Sequence, residues 1–251
     1  MHVERYGSGS DAFFCLHGWG GDHSTYAPLA ARLPPEASVH AADLPGYGRS
    51  PRPAEWSADA IGREIADAIC SLSAPRVTLV GNCSGAVFGL VAAGLVPGRI
   101  ARIVMIDAFA FLPWYFKVFV HPVYGEVAYR STFANPVGRW LTNASLRQRR
   151  TADTHLTGSF KGVDHHVSVQ YLRMLDAIDG IGRFAGITRP IDLIYGGRTF
   201  SAVKASVIQW QGLWPHARAH RLDEAGHLPI EEATEAVASI VFRGSLAEAR
   251  R

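Results

Sequence analysis

Val77-Thr78-Leu79-Val80-Gly81-Asn82-Cys83-Ser84-Gly85-Ala86 is the stretch on which the fold turns. An apolar, β-branched run enters Gly-x-Cys-x-Gly and continues into small and apolar residues of helical character. That pattern predicts a strand, a very tight turn and a helix. In a nucleophile elbow the reactive side chain sits on a strained turn that pushes it into the open. Any side chain two residues to either side would collide with the strand or the helix, and Gly81 and Gly85 stand at those two positions about Cys83. Ser84 is the rival nucleophile. Centred on it, the flanking positions become Asn82 and Ala86, a poorer steric fit.

Strand-like and helical runs alternate outward from the elbow. Ala12 to Leu16 predicts a strand ending at His17-Gly18-Trp19-Gly20, and Val39 to Ala42 another, ending at Asp43-Leu44-Pro45-Gly46-Tyr47-Gly48-Arg49-Ser50. Between Ser57 and Ser73 the residues Ile61, Ile65, Ala68 and Ile69 recur at helical spacing. Ile100 to Ile106 and Ile191 to Tyr195 predict two more strands. Alternating βα units imply an α/β architecture, a mainly parallel twisted sheet flanked by helices on both faces. From Asp107 to about Gly186 the pattern becomes helical, aromatic and basic. We expect a core of residues 1–107 and 187–251 with a helical cap, 108–186, inserted after the strand ending near Asp107. Within the cap, Asn135-Pro136 is a helix start, Asn as N-cap and Pro at the first position, of a helix expected to run through Arg150. His165-His166 is expected in a loop.

Composition narrows the class. The chain has 251 residues, 48% hydrophobic and 19% charged, enough for one sizeable core. Its net charge of +3 is not the footprint of a nucleic-acid binder. No run is long and apolar enough to span a bilayer, and Met1 to Tyr6 lacks the charged and apolar regions of a signal peptide. A cytoplasmic protein is expected. The three cysteines, Cys15, Cys70 and Cys83, lack the paired spacing of a disulfide framework or a zinc site. Neither a metal nor a cofactor is expected. Cys15 lies in an apolar strand and Cys70 on a helix, both structural.

The elbow, the His-Gly-Trp-Gly turn and the Asp-Leu-Pro-Gly-Tyr-Gly-Arg-Ser run together resemble the α/β-hydrolase superfamily. Residues 12–106 and 189–242 follow its core order. Within it the chain resembles small capped esterases such as the pimeloyl-carrier-protein methyl ester carboxylesterases, with cysteine departing from their nucleophile. The resemblance implies that Glu224-Ala225-Gly226-His227 delivers the triad base, His227, after the last strand. It also places a carboxylate in the loop after Ile191–Tyr195, where this chain has Gly196-Gly197-Arg198-Thr199-Phe200. Thr199 aligns with the carboxylate, and a hydroxyl cannot stabilise an imidazolium as an anion does. Asp192 lies inside the strand and is a poor substitute. Some branches take the acid from the strand after the elbow helix, as Dieckmann-type cyclases do, and Asp107 ends that strand. Backbone amides of Trp19 and Ser84 are the expected oxyanion hole, and His17 is a structural partner of its turn.

Cysteine keeps acyl-transfer chemistry open to more than water. A helix N-terminus and a neighbouring imidazolium favour its thiolate. The acyl-Cys is itself a thioester, able to pass to water, an amine, an alcohol or a carbon nucleophile. Hydrolysis of an ester or thioester of a fairly apolar acyl group is expected. A cyclase or acyltransferase acting on a carrier-bound polyketide-like chain is the alternative, and a non-catalytic ligand receptor a second one. The partner is then a small-molecule acyl ester or thioester, on an acyl carrier protein in one version. Trp114, Tyr115 and Phe116, within the aromatic run Phe109–Phe119, either line an acyl pocket or pack cap on core. Arg139, Arg147 and Arg150 fall on one side of the expected cap helix. They either receive a phosphopantetheine phosphate or an acidic carrier protein, or simply face water.

Overall fold

The computed structural model describes residues 1–151, 153–178 and 180–243. Seven strands form one sheet: β1 (Val3–Tyr6), β2 (Asp11–Leu16), β3 (Ala37–Ala42), β4 (Val77–Asn82), β5 (Ile100–Ile106), β6 (Ile191–Gly196) and β7 (Arg218–Leu222). Their order is β1-β3-β2-β4-β5-β6-β7. β1 runs antiparallel to β3, and every other pairing is parallel. The central strands are buried on both faces, as a parallel sheet covered by helices requires. In β2, Phe14 and Leu16 enter one core cluster and Phe13 and Cys15 the other, the alternation that the pleat imposes.

The two edge strands carry weak sequence signals. Val3–Tyr6 is short, and Arg-Ala-His-Arg-Leu in β7 carries only one large apolar residue, so hydrophobic periodicity marks neither. Besides its backbone pairing with β6, β7 has a polar tie: His220 Nε2 lies 2.6 Å from Asp192 Oδ1, and Arg102 Nε from β5 donates to Asp192 Oδ2 at 2.8 Å. Asp192 is therefore a buried structural anion within β6. Despite the burial that opposes it, the His220 and Arg102 contacts hold its carboxyl below the ordinary carboxylate value.

The helix Ser84–Leu95 packs between the sheet and the helix Ala58–Ser71, whose Ile61, Ile65 and Ile69 are buried. Ser57 caps the latter by accepting from the Ala60 amide at 3.1 Å. Close approach dictates the elbow glycines. A Cβ on Gly85 would stand 2.2 Å from the His17 carbonyl oxygen, and one on Gly81 would stand 2.3 Å from Ala86 Cα.

Between β5 and β6 the described residues form helices and turns but no strand. Asn135 caps the helix Pro136–Ser145, accepting from the Val137 amide at 2.8 Å. This helix ends at Ser145, five residues before the expected Arg150. A 3₁₀ turn follows over Arg147–Arg149, and Arg150 is extended. The Arg149 carbonyl is taken by the His227 amide at 2.8 Å, so the chain leaves its helical path to hold the loop that carries His227. His165-His166 open a helix, His165–Asp176, because Asp164 accepts from the His166 and Val167 amides and caps it. No helix among the described residues is long and apolar enough to cross a membrane.

Candidate active site

The register of three neighbouring strands assembles the site. Ile106 in β5 stands beside Asn82 in β4 and Ile194 in β6. One residue further, the Cys83 amide donates to the Ile106 carbonyl at 2.8 Å and the Asp107 amide to the Ile194 carbonyl at 2.8 Å. Cys83 and Asp107 therefore leave adjacent strand ends side by side. They are also the two non-glycine residues with left-handed backbone among those described, at φ 50° and φ 49°. Such strain costs about 1–3 kcal/mol per residue and concentrates where geometry serves chemistry.

His227 joins them. Its Nδ1 lies 2.5 Å from Asp107 Oδ2, and Cys83 is close enough to act on its charge. Burial alone would lower the imidazole's pKa. The hydrogen bonds and charges of Asp107 and Cys83 overcome that and raise it to about 10. The rings of Phe200 and Phe109 flank the imidazole at 4.8 and 5.6 Å between centroids, shielding it from water.

Asp107 is fully buried and its carboxylate is fully engaged. Oδ1 accepts from the Gly196 amide at 2.9 Å, while Oδ2 accepts from the Thr199 hydroxyl as well as from His227. Thr199 Oγ1 also stands 3.3 Å from His227 Nδ1. The position that looked vacant in sequence thus holds a hydroxyl bridging carboxylate and imidazole. Two further residues fix the loops that carry His227 and Thr199. Glu232 accepts from the Gly226 and Thr151 amides at 2.5 and 2.8 Å. Arg149 Nη1 donates to the Thr199 carbonyl at 3.1 Å. No sequence motif marks either one, because their partners lie on other loops.

The three thiols differ sharply. Cys15 is buried, which pushes its thiol well up, and Cys70 is exposed on a helix. Cys83 is half-buried and borders a cavity of about 380 Å³. Phe109, Tyr115, Phe116, Phe119, Phe133, Phe160 and Phe200 make its wall rich in aromatic rings. Trp19 and Ser84 both line it. The Trp19 indole is pinned by donation to the Ser168 carbonyl at 2.8 Å and by edge contacts with Phe116, Phe133 and Phe160. Ser84 opens its helix, where the first amides have no acceptor within the helix. Among the described residues neither the Trp19 nor the Ser84 amide donates to a carbonyl outside its own element. His17 bridges the Leu44 amide and the Gly18 carbonyl, a structural placement.

Tyr115 and Phe116 line the cavity, but Trp114 does not. It is 78% exposed, because successive residues of the single turn Trp114–Lys117 point about 100° apart. The three arginines do not converge, since the helix ends at Ser145. Arg139 donates to the Phe133 and Ala134 carbonyls, Arg150 donates to those of Thr151 and Thr154, and Arg147 is exposed on the 3₁₀ turn. Among the described residues, two clusters of possible metal ligands, His2 with Glu4 and His23, and Asp22 with His23 and Asp43, lie elsewhere. None of these residues lines the cavity.

The pattern of the alpha/beta hydrolase fold matches residues 11–234. The chain is a hydrolase-type member of the α/β-hydrolase superfamily. It is 26% identical over 266 residues to a pimeloyl-[acyl-carrier protein] methyl ester esterase of Xanthomonas campestris pv. campestris, covering 97% of this chain and 98% of that one. It is 33% identical to lipase LipV of Mycobacterium tuberculosis over 108 residues, 43% of this chain and 41% of the lipase. Among solved structures, an enol-lactonase from Burkholderia xenovorans superposes with a TM-score of 0.76 at 20% identity, covering 96% of this chain and 95% of that one. A thermophilic esterase from Thermogutta terrifontis gives 0.78 at 18% identity, covering 98% and 93%. At those identities the two structures speak to the fold alone.

Proposed function

We propose that this α/β-hydrolase cleaves an ester or thioester of a fairly apolar acyl group through an acyl-cysteine intermediate. Residues 108–186 serve as the cap over its site. The observation that carries the reading is the strained pair Cys83 and Asp107 bridged by His227 beside an aromatic cavity. Cys83 Sγ attacks the carbonyl carbon and its proton resides on His227. Asp107 orients the imidazolium and balances its charge. The Trp19 and Ser84 amides donate to the oxyanion. Collapse of the tetrahedral intermediate expels the alcohol or thiol, which takes the proton from His227. His227 then removes a proton from water, and the hydroxide attacks the acyl-Cys83 carbonyl. The acid leaves and the thiol is restored.

A relative named for an acyl-carrier-protein ester supports a carrier-linked substrate as one form of the acyl donor. Intact-protein mass after mixing with a panel of acyl thioesters tests the reading, with wild type beside Cys83→Ala. An adduct on wild type alone, discharging to free acid, is expected. A cyclised or transferred product would establish the cyclase or acyltransferase alternative instead. No adduct and no turnover across the panel would overturn the reading.

A further inference from the structure

Nine of the eleven exposed large apolar residues among those described fall between Phe111 and Leu141. The helix Pro136–Ser145 shows why this is unusual. Val137, Trp140 and Leu141 are 62%, 68% and 55% exposed, and Ala144 is exposed with them. The spacing i, i+3, i+4, i+7 is the stripe that a surface helix normally turns to the core. Here the opposite side is fastened inward, and by polar groups. Arg139 donates to the Phe133 and Ala134 carbonyls, and Asn143 accepts from the Leu156 amide at 3.0 Å. Thr142 borders the cavity. The apolar stripe is therefore left outside, and a contiguous exposed apolar surface marks an interaction site.

Charge selects the occupant. Residues 108–186 hold nine Lys and Arg against five Asp and Glu. Two exposed arginines, Arg130 and Arg147, bracket the helix in sequence, Arg130 being paired with Glu126 at 2.9 Å. A second copy would meet this face through its own equivalent, setting one net-positive segment against another. An apolar stripe with tryptophan, on a segment of net positive charge and beside the exposed Arg147, instead matches the headgroup region of an anionic bilayer.

We propose that this face adsorbs to an anionic phospholipid surface, with Val137, Trp140 and Leu141 at the acyl boundary and Arg147 among the phosphates. Adsorption through this face is independent of the chemistry at Cys83. The test is co-sedimentation of the full chain with sucrose-loaded vesicles of phosphatidylcholine, alone or with one quarter phosphatidylglycerol. Wild type is expected to partition at least about tenfold better onto the anionic vesicles. The double substitution Trp140→Ser with Leu141→Ser should lower that at least about tenfold, and Arg147→Gln about fivefold. The double variant should keep the wild-type melting temperature and its turnover of a soluble short-chain thioester. If it melts early, Val137→Ser replaces it. Wild type failing to sediment with anionic vesicles would overturn the proposal, as would a double variant sedimenting like wild type. So would a dimer in light scattering, or capture of an acidic carrier protein, that the double substitution abolishes while vesicle binding is absent.

Discussion

Asp107→Asn isolates the electrostatic core of the site. His227 stands at about 10 against an ordinary 6.5, although burial opposes the shift. At about 1.4 kcal/mol per tenfold, its imidazolium is favoured by on the order of 5 kcal/mol. Asp107 and Cys83 share that effect, and Asp107's hydrogen bond is the larger of the favourable contributions. Losing about half of it slows acyl-Cys83 formation about 10²-fold. The new amide also turns an N–H toward Nδ1 and imposes the wrong tautomer, which extends the loss toward about 10⁴-fold. The group's folded pKa is raised, so the stabilisation of imidazolium is complete below about pH 6.5 and vanishes as pH climbs through about 10. In Asp107→Asn that decline should move to lower pH. Stopped-flow acylation by a thioester, with melting temperature followed across this pH range, measures both. An acylation rate within threefold of wild type, or an unmoved pH profile, would refute the reasoning.

Thr199→Val keeps the shape and removes the hydroxyl bonded to Asp107. Acylation should fall about tenfold, the worth of one hydrogen bond to a charged group. A loss equal to that of Asp107→Asn would mean that the carboxylate is not the principal orienting group. Gly85→Ala should destabilise the fold by about 3 kcal/mol or more, because the added methyl meets the His17 and Leu16 carbonyl oxygens at 2.2 and 2.5 Å. An unchanged urea midpoint would contradict that close approach. Asp192→Asn strands the charge of Arg102 and loosens the ring contact of His220, at about 3–5 kcal/mol. Since the Asp192 carboxyl is held below its ordinary value, its contribution is present above the usual carboxylate range and lost as pH falls. The difference in melting temperature between wild type and variant should therefore shrink on acidification, and a difference constant from pH 7 to pH 3 would sink the assignment.

The elbow, the alternating βα order and the helix start at Asn135-Pro136 were legible in sequence because each is local. Tight turns demand glycine, strand and helix have fixed periods, and a cap needs its acceptor within three residues. The same locality made Cys83 and His227 stand out, and the missing carboxylate near Thr199 pointed to Asp107. What the tertiary structure alone decided is how groups far apart in the chain meet. The Thr199 hydroxyl bonds a carboxylate 92 residues away, so no spacing could announce it. The helix from Pro136 stops at Ser145, and beyond it the Arg149 carbonyl accepts from the His227 amide, a loop contact invisible to helix propensity. Trp114 faces solvent while Tyr115 and Phe116 face the cavity, and periodicity alone cannot say which side of so short a turn is covered. The apolar stripe of Val137, Trp140 and Leu141 makes the same point in reverse. Its spacing was written in the sequence, but its direction was set by the polar anchors of Arg139 and Asn143.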